Sequence, residues 1–238
     1  MQNTHPLTIT GISSMATRQL LAALVADYKK QVDVAINIES VGGVDAAKRV
    51  MNSALTGEAF DVVILASDAI DKLIAAGHID PTSKVNLVNS GVAVAVRAGT
   101  TPPDISSEAA VKAAVLAAKT ISYSTGPSGV ALAKLFERWG IAETIANRIV
   151  QAPSGVPVGS LVAKGDVALG FQQLSELIHL EGICIVGPLP PEIQITTTFS
   201  AGVCTASKQA GAVREMLAYM ASPAAAAAKL LQGMEIVQ

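Results

Sequence analysis

A chain of 238 residues, 50% of them hydrophobic, is long enough for one large domain or two small lobes with an ample core. A formal net charge of -2 with both signs scattered leaves no basic stripe, and 3% aromatics leave little to stack on bases, so nucleic acid is not an expected partner. No run reaches the roughly 18 apolar residues of a membrane span. The stretch from Ser90 to Val96 ends at Arg97, and the chain is not expected to be membrane-embedded.

Short apolar strands alternate with amphipathic helical segments, the pattern of an open, mostly parallel α/β sheet. A strand at 8–10 leads to a helix over 14–30, a strand at 34–38 to a helix over 44–56, and a strand at 61–65 to a helix over 67–76. The period-two Val92, Val94 and Val96 predict a long strand over 89–96, which the Gly99-Thr100-Thr101-Pro102-Pro103 run ends. A second set follows: strand 120–123 and helix 129–139, strand 148–151 and helix 158–164, strand 167–171 and helix 174–179. A strand at 183–186 and a β-rich stretch over 193–205 come next, and helices over 211–220 and 223–231 close the chain with no strand between them. The closing helices are expected to return to the first half, which makes a discontinuous lobe of 1–90 plus 200–238 and an inserted lobe of 91–199. Two crossing segments would form a hinge, with the ligand cleft where strand C-terminal ends and helix N-termini of both lobes face each other.

Two predicted strand-turn-helix junctions carry the chemistry. The first is Thr8-Ile9-Thr10-Gly11-Ile12-Ser13-Ser14-Met15, and the second is Ser122-Tyr123-Ser124-Thr125-Gly126-Pro127-Ser128-Gly129-Val130. Hydroxyls and bare N–H groups at a helix N-terminus make a neutral anion site, because unpaired amides and the positive dipole end point at the ligand. Ser and Thr are also the preferred N-caps, so ordinary capping competes with this reading. Neither turn matches a dinucleotide or phosphate-loop pattern. Arg18, one turn past Ser14, either reaches the cleft as a bidentate carboxylate partner or lies on the solvated face with Lys29. Asp45, Asp68 and Glu176 each lie near a helix start, where first-turn acids complement the dipole.

Cys184 and Cys204 lie on apolar strand-like segments without a CxxC pair. They read as buried free thiols, with a single bridge as the alternative and a metal site as the remaining one; no metal ligand set is predicted. Met1-Gln2-Asn3-Thr4-His5-Pro6 has neither a charged n-region nor an apolar h-region. The expectation is a cytoplasmic protein if the chain starts natively at Met1, and a periplasmic one if a signal has been removed ahead of it.

Several segments in order resemble the type II periplasmic binding-protein superfamily, in particular the molybdate-binding proteins of ABC importers. They are Ser13-Ser14 opening the first long helix, Ser40-Val41-Gly42-Gly43 before the second, Phe60-Asp61-Val62-Val63-Ile64 followed by Ala66-Ser67-Asp68, the crossover Asn89-Ser90-Gly91-Val92-Ala93-Val94, and the closing Ser222-Pro223 helix. The resemblance covers nearly the whole chain and implies a two-lobed α/β clamp with two crossover strands as its hinge. It places the first hydroxyl ligand on Ser13 or Ser14 and the second near Ser40, beside Gly42 and Gly43. It places second-lobe contacts on Thr125, Gly126, Ser128 and Gly129 and on the turn Gly155 to Gly159, including Val158. The tyrosine that closes the family's site aligns with Gln173, in Gly170-Phe171-Gln172-Gln173-Leu174-Ser175-Glu176. An amide in place of a phenol moves the expected ligand from molybdate to an organic acid.

The chain is similar as well to the aconitate isomerases, enzymes on this fold that shift a proton and a double bond between cis- and trans-aconitate. Such a reaction needs an acid/base group beside an acidic CH and donors for the developing enolate charge. Glu176 is the first candidate for the base, ahead of His78 and Tyr123. His78 also fits a cap at a helix end, and Tyr123 a strand side chain packing on a neighbour. The leading expectation is a solute-binding protein holding a di- or tricarboxylate without metal or organic cofactor. The alternatives are a cofactor-independent aconitate isomerase, a molybdate-type binder delivering to an ABC-importer membrane component, and a cytoplasmic ligand sensor.

Overall fold

A computed structural model of the chain describes residues 7–153 and 155–237. The Met1–Pro6 segment, read above for an export signal, lies outside the described residues. The chain divides into two compact units, Met1–Asn89 with Thr198–Gln238, and Ser90–Thr197.

In the first unit, β1 (Thr8–Ser14), α1 (Arg18–Tyr28), β2 (Ala35–Val41), α2 (Gly43–Met51), α3 (Ser53–Thr56), β3 (Val62–Ala66) and α4 (Ser67–Ala75) follow in order, and then β4 (Val85–Arg97) begins. Strand β1 is central and pairs in parallel with β2, Ser13 opposite Ser40, and with β3, Gly11 opposite Val62. A Cβ on Gly11 would meet the Val62 backbone oxygen at 3.0 Å, so close strand approach excludes a larger residue there. All five residues of β3 are buried, the continuous apolar run expected of a strand covered on both faces. Alternation then sorts the side chains. Ile64 joins Ile9, Leu20 and Leu24 in one cluster, while Val63 and Leu65 join Ile12, Ile70 and Leu73 in another.

The predicted helix over 44–56 is broken at Asn52 into α2 and α3, and Gly57 ends it at φ 74°. Strand β1 runs on to Ser14, so Ser13 and Ser14 lie on the strand end, and a 3-10 turn at Met15–Thr17 precedes α1.

The second unit holds the distal part of β4, α5 (Glu108–Ala117), β5 (Ile121–Tyr123), α6 (Pro127–Arg138), α7 (Ala142–Ile145), α8 (Val158–Lys164), β6 (Leu169–Gln173), α9 (Leu174–Leu177) and β7 (Ile183–Pro188). Strand β8 (Thr196–Val203) then leads back to the first unit, where α10 (Ala210–Ala221), α11 (Ala226–Leu231) and β9 (Glu235–Ile236) end the chain. Strand β5 pairs in parallel with β6, Tyr123 opposite Phe171, while β4 pairs antiparallel with β6 and β7. Val92, Val94 and Val96 share one cluster with Phe136 and Phe171, and Ala93 and Ala95 face Leu177 in another.

Further elements differ from the sequence reading, among them the short helix α7 at Ala142–Ile145, which was not predicted. Helix α5 lies where none was predicted, with Ser107 Oγ accepting from the Ala110 N–H at 3.2 Å as its N-cap. The strand expected over 148–151 is not formed: Ala146–Arg148 is a 3-10 turn, and only Ile149 bridges to Ile121. Residues Glu235–Ile236, unassigned from sequence, pair with Val88 and Asn89 of β4.

Candidate active site

In the first unit, the C-terminal ends of β1 and β2 set hydroxyls side by side. Ser13 is fully buried, and its Oγ lies 2.8 Å from Ser40 Oγ, with Glu39 O accepting from it at 3.4 Å. One hydrogen of the pair is committed between the two oxygens, which leaves the other for a carbonyl or a ligand. Ser14 Oγ accepts from the Ala16 N–H at 3.4 Å, so it is an N-cap acceptor whose own hydrogen remains a donor. Gly42 caps α2 without a side chain, and a Cβ on Gly43 would approach Ser14 Oγ to 3.6 Å. The family-implied hydroxyls Ser13, Ser14 and Ser40 are therefore neighbours of the bare backbone at Gly42 and Gly43. Arg18, the first residue of α1, is exposed.

His78 takes the helix-end role. Its N–H bonds to Leu73 O at 2.9 Å and the Gly77 N–H to Ile74 O at 2.9 Å, with Gly77 at φ 79°, the paired bonds that close an α-helix through a left-handed glycine.

In the second unit, β5 and β6 end side by side because they are parallel neighbours. After β5 the chain makes the hydroxyl-rich turn into α6. Gly126 is its N-cap and Pro127 its first residue, where a missing N–H costs nothing. Ser128 is buried with its Oγ 3.3 Å from Ser124 Oγ, whereas Thr125 is exposed. Gly129 is buried against the Ser124 carbonyl group, whose space a Cβ would invade. Tyr123 packs edge-on to Phe136, ring centroids 5.9 Å apart, and burial followed by the nearby Glu137 charge pushes its phenol up, away from base chemistry near neutrality.

After β6 come the groups that matter most for proton transfer. Gln173 is buried, its Nε2 donates to Thr197 Oγ1 at 2.8 Å, and its Oε1 is buried without a hydrogen-bond partner among the described residues. Glu176, in the first turn of α9, is half-buried, and burial pushes its carboxyl up to about 7. Gln172 is itself buried, and its Oε1 accepts from the Gly159 N–H at 3.2 Å. Val158 turns its side chain fully into a cluster with Ala152, Val162 and Val167, which leaves only its backbone to a ligand.

Sequence reasoning missed Gln172 and Thr197, the partners of the two residues it did single out. Neither carries a motif, because their roles arise from hydrogen bonds to Gly159 and Gln173 that follow from folding.

Among the described residues no group of three His, Cys, Asp or Glu is placed to hold a metal ion. Both thiols are free, so the bridged alternative for Cys184 and Cys204 does not apply. Burial pushes the Cys204 thiol up to about 12, which makes it inert at neutral pH. No helix among the described residues is long and apolar enough to cross a membrane.

Strands ending in helix N-termini, lined with hydroxyls and amides, are the features of a small-anion receptor. The chain belongs to the bacterial extracellular solute-binding protein family, whose family model matches residues 9–235. Its fold is that of the type II periplasmic binding proteins: the periplasmic molybdate-binding protein of Azotobacter vinelandii superposes with a TM-score of 0.79 at 21% identity, covering 97% of this chain and 100% of that one. A sulfate-binding protein from Mycobacterium tuberculosis superposes with a TM-score of 0.78 at 15% identity, covering 98% and 88%. The chain is 36% identical over 223 residues to an aconitate isomerase from a Pseudomonas species, an alignment covering 93% of this chain and 85% of that one.

Proposed function

We propose that the protein is a cofactor-independent isomerase of the aconitate type, acting on a small tricarboxylate. The observation that carries this reading is Glu176, set in the first turn of α9 just past the end of β6, where burial raises its carboxyl to about 7. A base performs best when its pKa lies near the working pH, and a protein that only carries a ligand gains nothing from one. The 36% identity to an aconitate isomerase supports the same chemistry.

In this mechanism the Glu176 carboxylate takes a proton from the CH₂ of trans-aconitate. The electron pair of that C–H bond moves into the neighbouring double bond and onward to a carboxylate, giving a delocalised dienolate. The proton returns to the former vinyl carbon and the double bond re-forms on the other side; its cis geometry is set by the rotamer in which the former C–CH₂ single bond is held when the proton leaves. One proton leaves and one returns, so no oxidant, reductant or cofactor enters the balance. The Ser128 hydroxyl, the Gln173 amide and the first N–H groups of α6 are the donors we assign to the developing charge. Proton NMR in deuterated buffer tests the reading: cis-aconitate should accumulate and its CH positions should take up deuterium, and a bound ligand showing neither result would sink the isomerase.

The family itself favours a second reading, in which the protein delivers a carboxylate to an ABC-importer membrane component from the periplasm. A thermal-shift panel of aconitates, molybdate and sulfate separates the ligand classes, because a ligand that binds only the folded state raises the melting point. We expect shifts with the tricarboxylates; a strong shift with molybdate alone would assign the protein to the oxyanion binders. In either case Ser14→Ala and Ser128→Ala should each weaken ligand binding by roughly 1–3 kcal/mol by calorimetry, the cost of an unsatisfied ligand oxygen. Unchanged affinity in both would leave these serines as ordinary caps.

A further inference from the structure

We propose that Thr197 is a positioning residue: by giving its hydroxyl hydrogen to Gln173 Oε1, it lets the Gln173 amide turn both of its own hydrogens on a ligand carboxylate. The inference rests on the carboxylate ligand of the reading above, and on nothing about turnover.

Gln173 ends β6 and stands at the N-cap of α9, yet its side chain makes no bond to that helix. Alternation puts it on the face of β6 that carries Phe171, whose ring packs edge-on to Phe136 of α6 with centroids 6.1 Å apart. Because Tyr123 of β5 lies opposite Phe171, Gln173 stands two residues further along, level with the hydroxyl-rich turn that leads from β5 into α6. Both Gln173 and Thr197 belong to the second unit, and they are only 3% and 9% exposed.

A buried amide has an oxygen to satisfy at one end and two hydrogens at the other. In the structure Nε2 meets Thr197 Oγ1 at 2.8 Å, and Oε1 has no partner among the described residues. Thr197 is in the same position, since none of the described residues accepts its hydroxyl hydrogen. A hydroxyl both accepts and donates, so a half-turn of the amide about Cγ–Cδ keeps the contact with its roles reversed, and one O–H···O bond then satisfies both groups. The separation already suits that bond, whose usual length is about 2.7–2.8 Å. The NH₂ group takes the place of the orphan oxygen, and its two hydrogens call for a ligand that only accepts. A carboxylate is such a ligand. The unturned amide would set Oε1 against it, acceptor on acceptor, at the cost of two desolvated oxygens.

The test is nitrogen-15 NMR of glutamine-labelled protein, with the Gln173 side-chain resonance assigned by its loss in Gln173→Met, or by its nuclear Overhauser contacts with Thr197 if that variant does not fold. Saturation with trans-aconitate, or with its saturated analogue propane-1,2,3-tricarboxylate, should move both amide hydrogens downfield and weaken their contacts with the Thr197 methyl group. In calorimetry Thr197→Val, nearly isosteric, should bind both probes about tenfold more weakly, while Thr197→Ser, which keeps the hydroxyl, should stay within about threefold of the wild type. A residue that only fills space would show the reverse, tolerating valine and suffering from the methyl lost in serine. Amide hydrogens that do not move on binding, or a valine variant that binds like the wild type, overturn the proposal; the wild-type spectrum decides it even if the variants fail to fold. If the hydrogens move and serine preserves binding but trans-aconitate is not turned over, the positioning stands and the isomerase reading falls. If neither probe binds, the amide has no carboxylate to meet and both fall.

Discussion

Glu176→Gln should reduce turnover of trans-aconitate by about 10²–10⁴-fold, the usual worth of a positioned general base, with little change in aconitate affinity. The same substitution should stabilise the protein above neutral pH. The folded carboxyl is pushed up to about 7, against an ordinary value of 4.5, because burial penalises its charged form. Between those two values the folded state keeps a proton that the unfolded chain releases, so stability falls as pH rises through the window and the full penalty is present above it. At about 1.4 kcal/mol per pH unit the wild-type penalty is roughly 2–3 kcal/mol after allowance for a side chain that is only half-buried. The amide carries no charge and escapes it. Urea unfolding at pH 5 and pH 8 should show the wild-type protein losing stability across the interval and the variant losing markedly less; equal losses would mean that Glu176 is not buried in its ionised form. An enzyme that retains its rate as Glu176→Gln has another base.

Gly129→Ala should be the most damaging single methyl in the second unit. A Cβ there would overlap the carbonyl oxygen of Ser124 and press on its carbon, and the Tyr123 ring lies 3.1 Å away. Backbone atoms cannot step aside as a side-chain tip can, so the turn from β5 into α6 must open, at a cost we put at about 3–5 kcal/mol. Ser128 sits inside that turn, and ligand binding should fall with stability. Gly126→Ala is the control: its added Cβ would meet only Ser124 Oγ, at an ordinary 3.7 Å, and a loss of less than about 1 kcal/mol is expected there. Chemical denaturation of both variants checks the contrast, and similar midpoints would show that the turn is not packed as tightly as described.

Much of the framework was legible because local periodicity and local chemistry agree. The run Val62-Val63-Ile64-Leu65-Ala66 has to be a strand covered on both faces, and Val92, Val94 and Val96 have to share one face, because side chains alternate along a strand whatever it pairs with. Helix α5 escaped notice because its alanine-rich stretch, Glu108–Ala117, has little amphipathic contrast; the cap at Ser107 was the available signal. The strand expected at 148–151 shows the reverse error, since a short apolar run pairs only if a partner edge is free, and Ile149 finds room for one bridge beside Ile121.

By itself the sequence determined the α/β class, the hydroxyl-rich segments on which Ser13, Ser14, Ser40 and Ser128 stand, and the amide at position 173, since these depend on residue identity and short-range spacing. Only the tertiary structure decided what those groups do. Whether Glu176 is a first-turn acid or a poised base depends on how much protein surrounds it, and that follows from packing. Gln172, four residues before Glu176, is oriented by the N–H of Gly159, 13 residues earlier on a different element. Hydrogen bonds of this kind join groups separated along the chain by a helix and a turn, and no periodicity in the sequence encodes their directions.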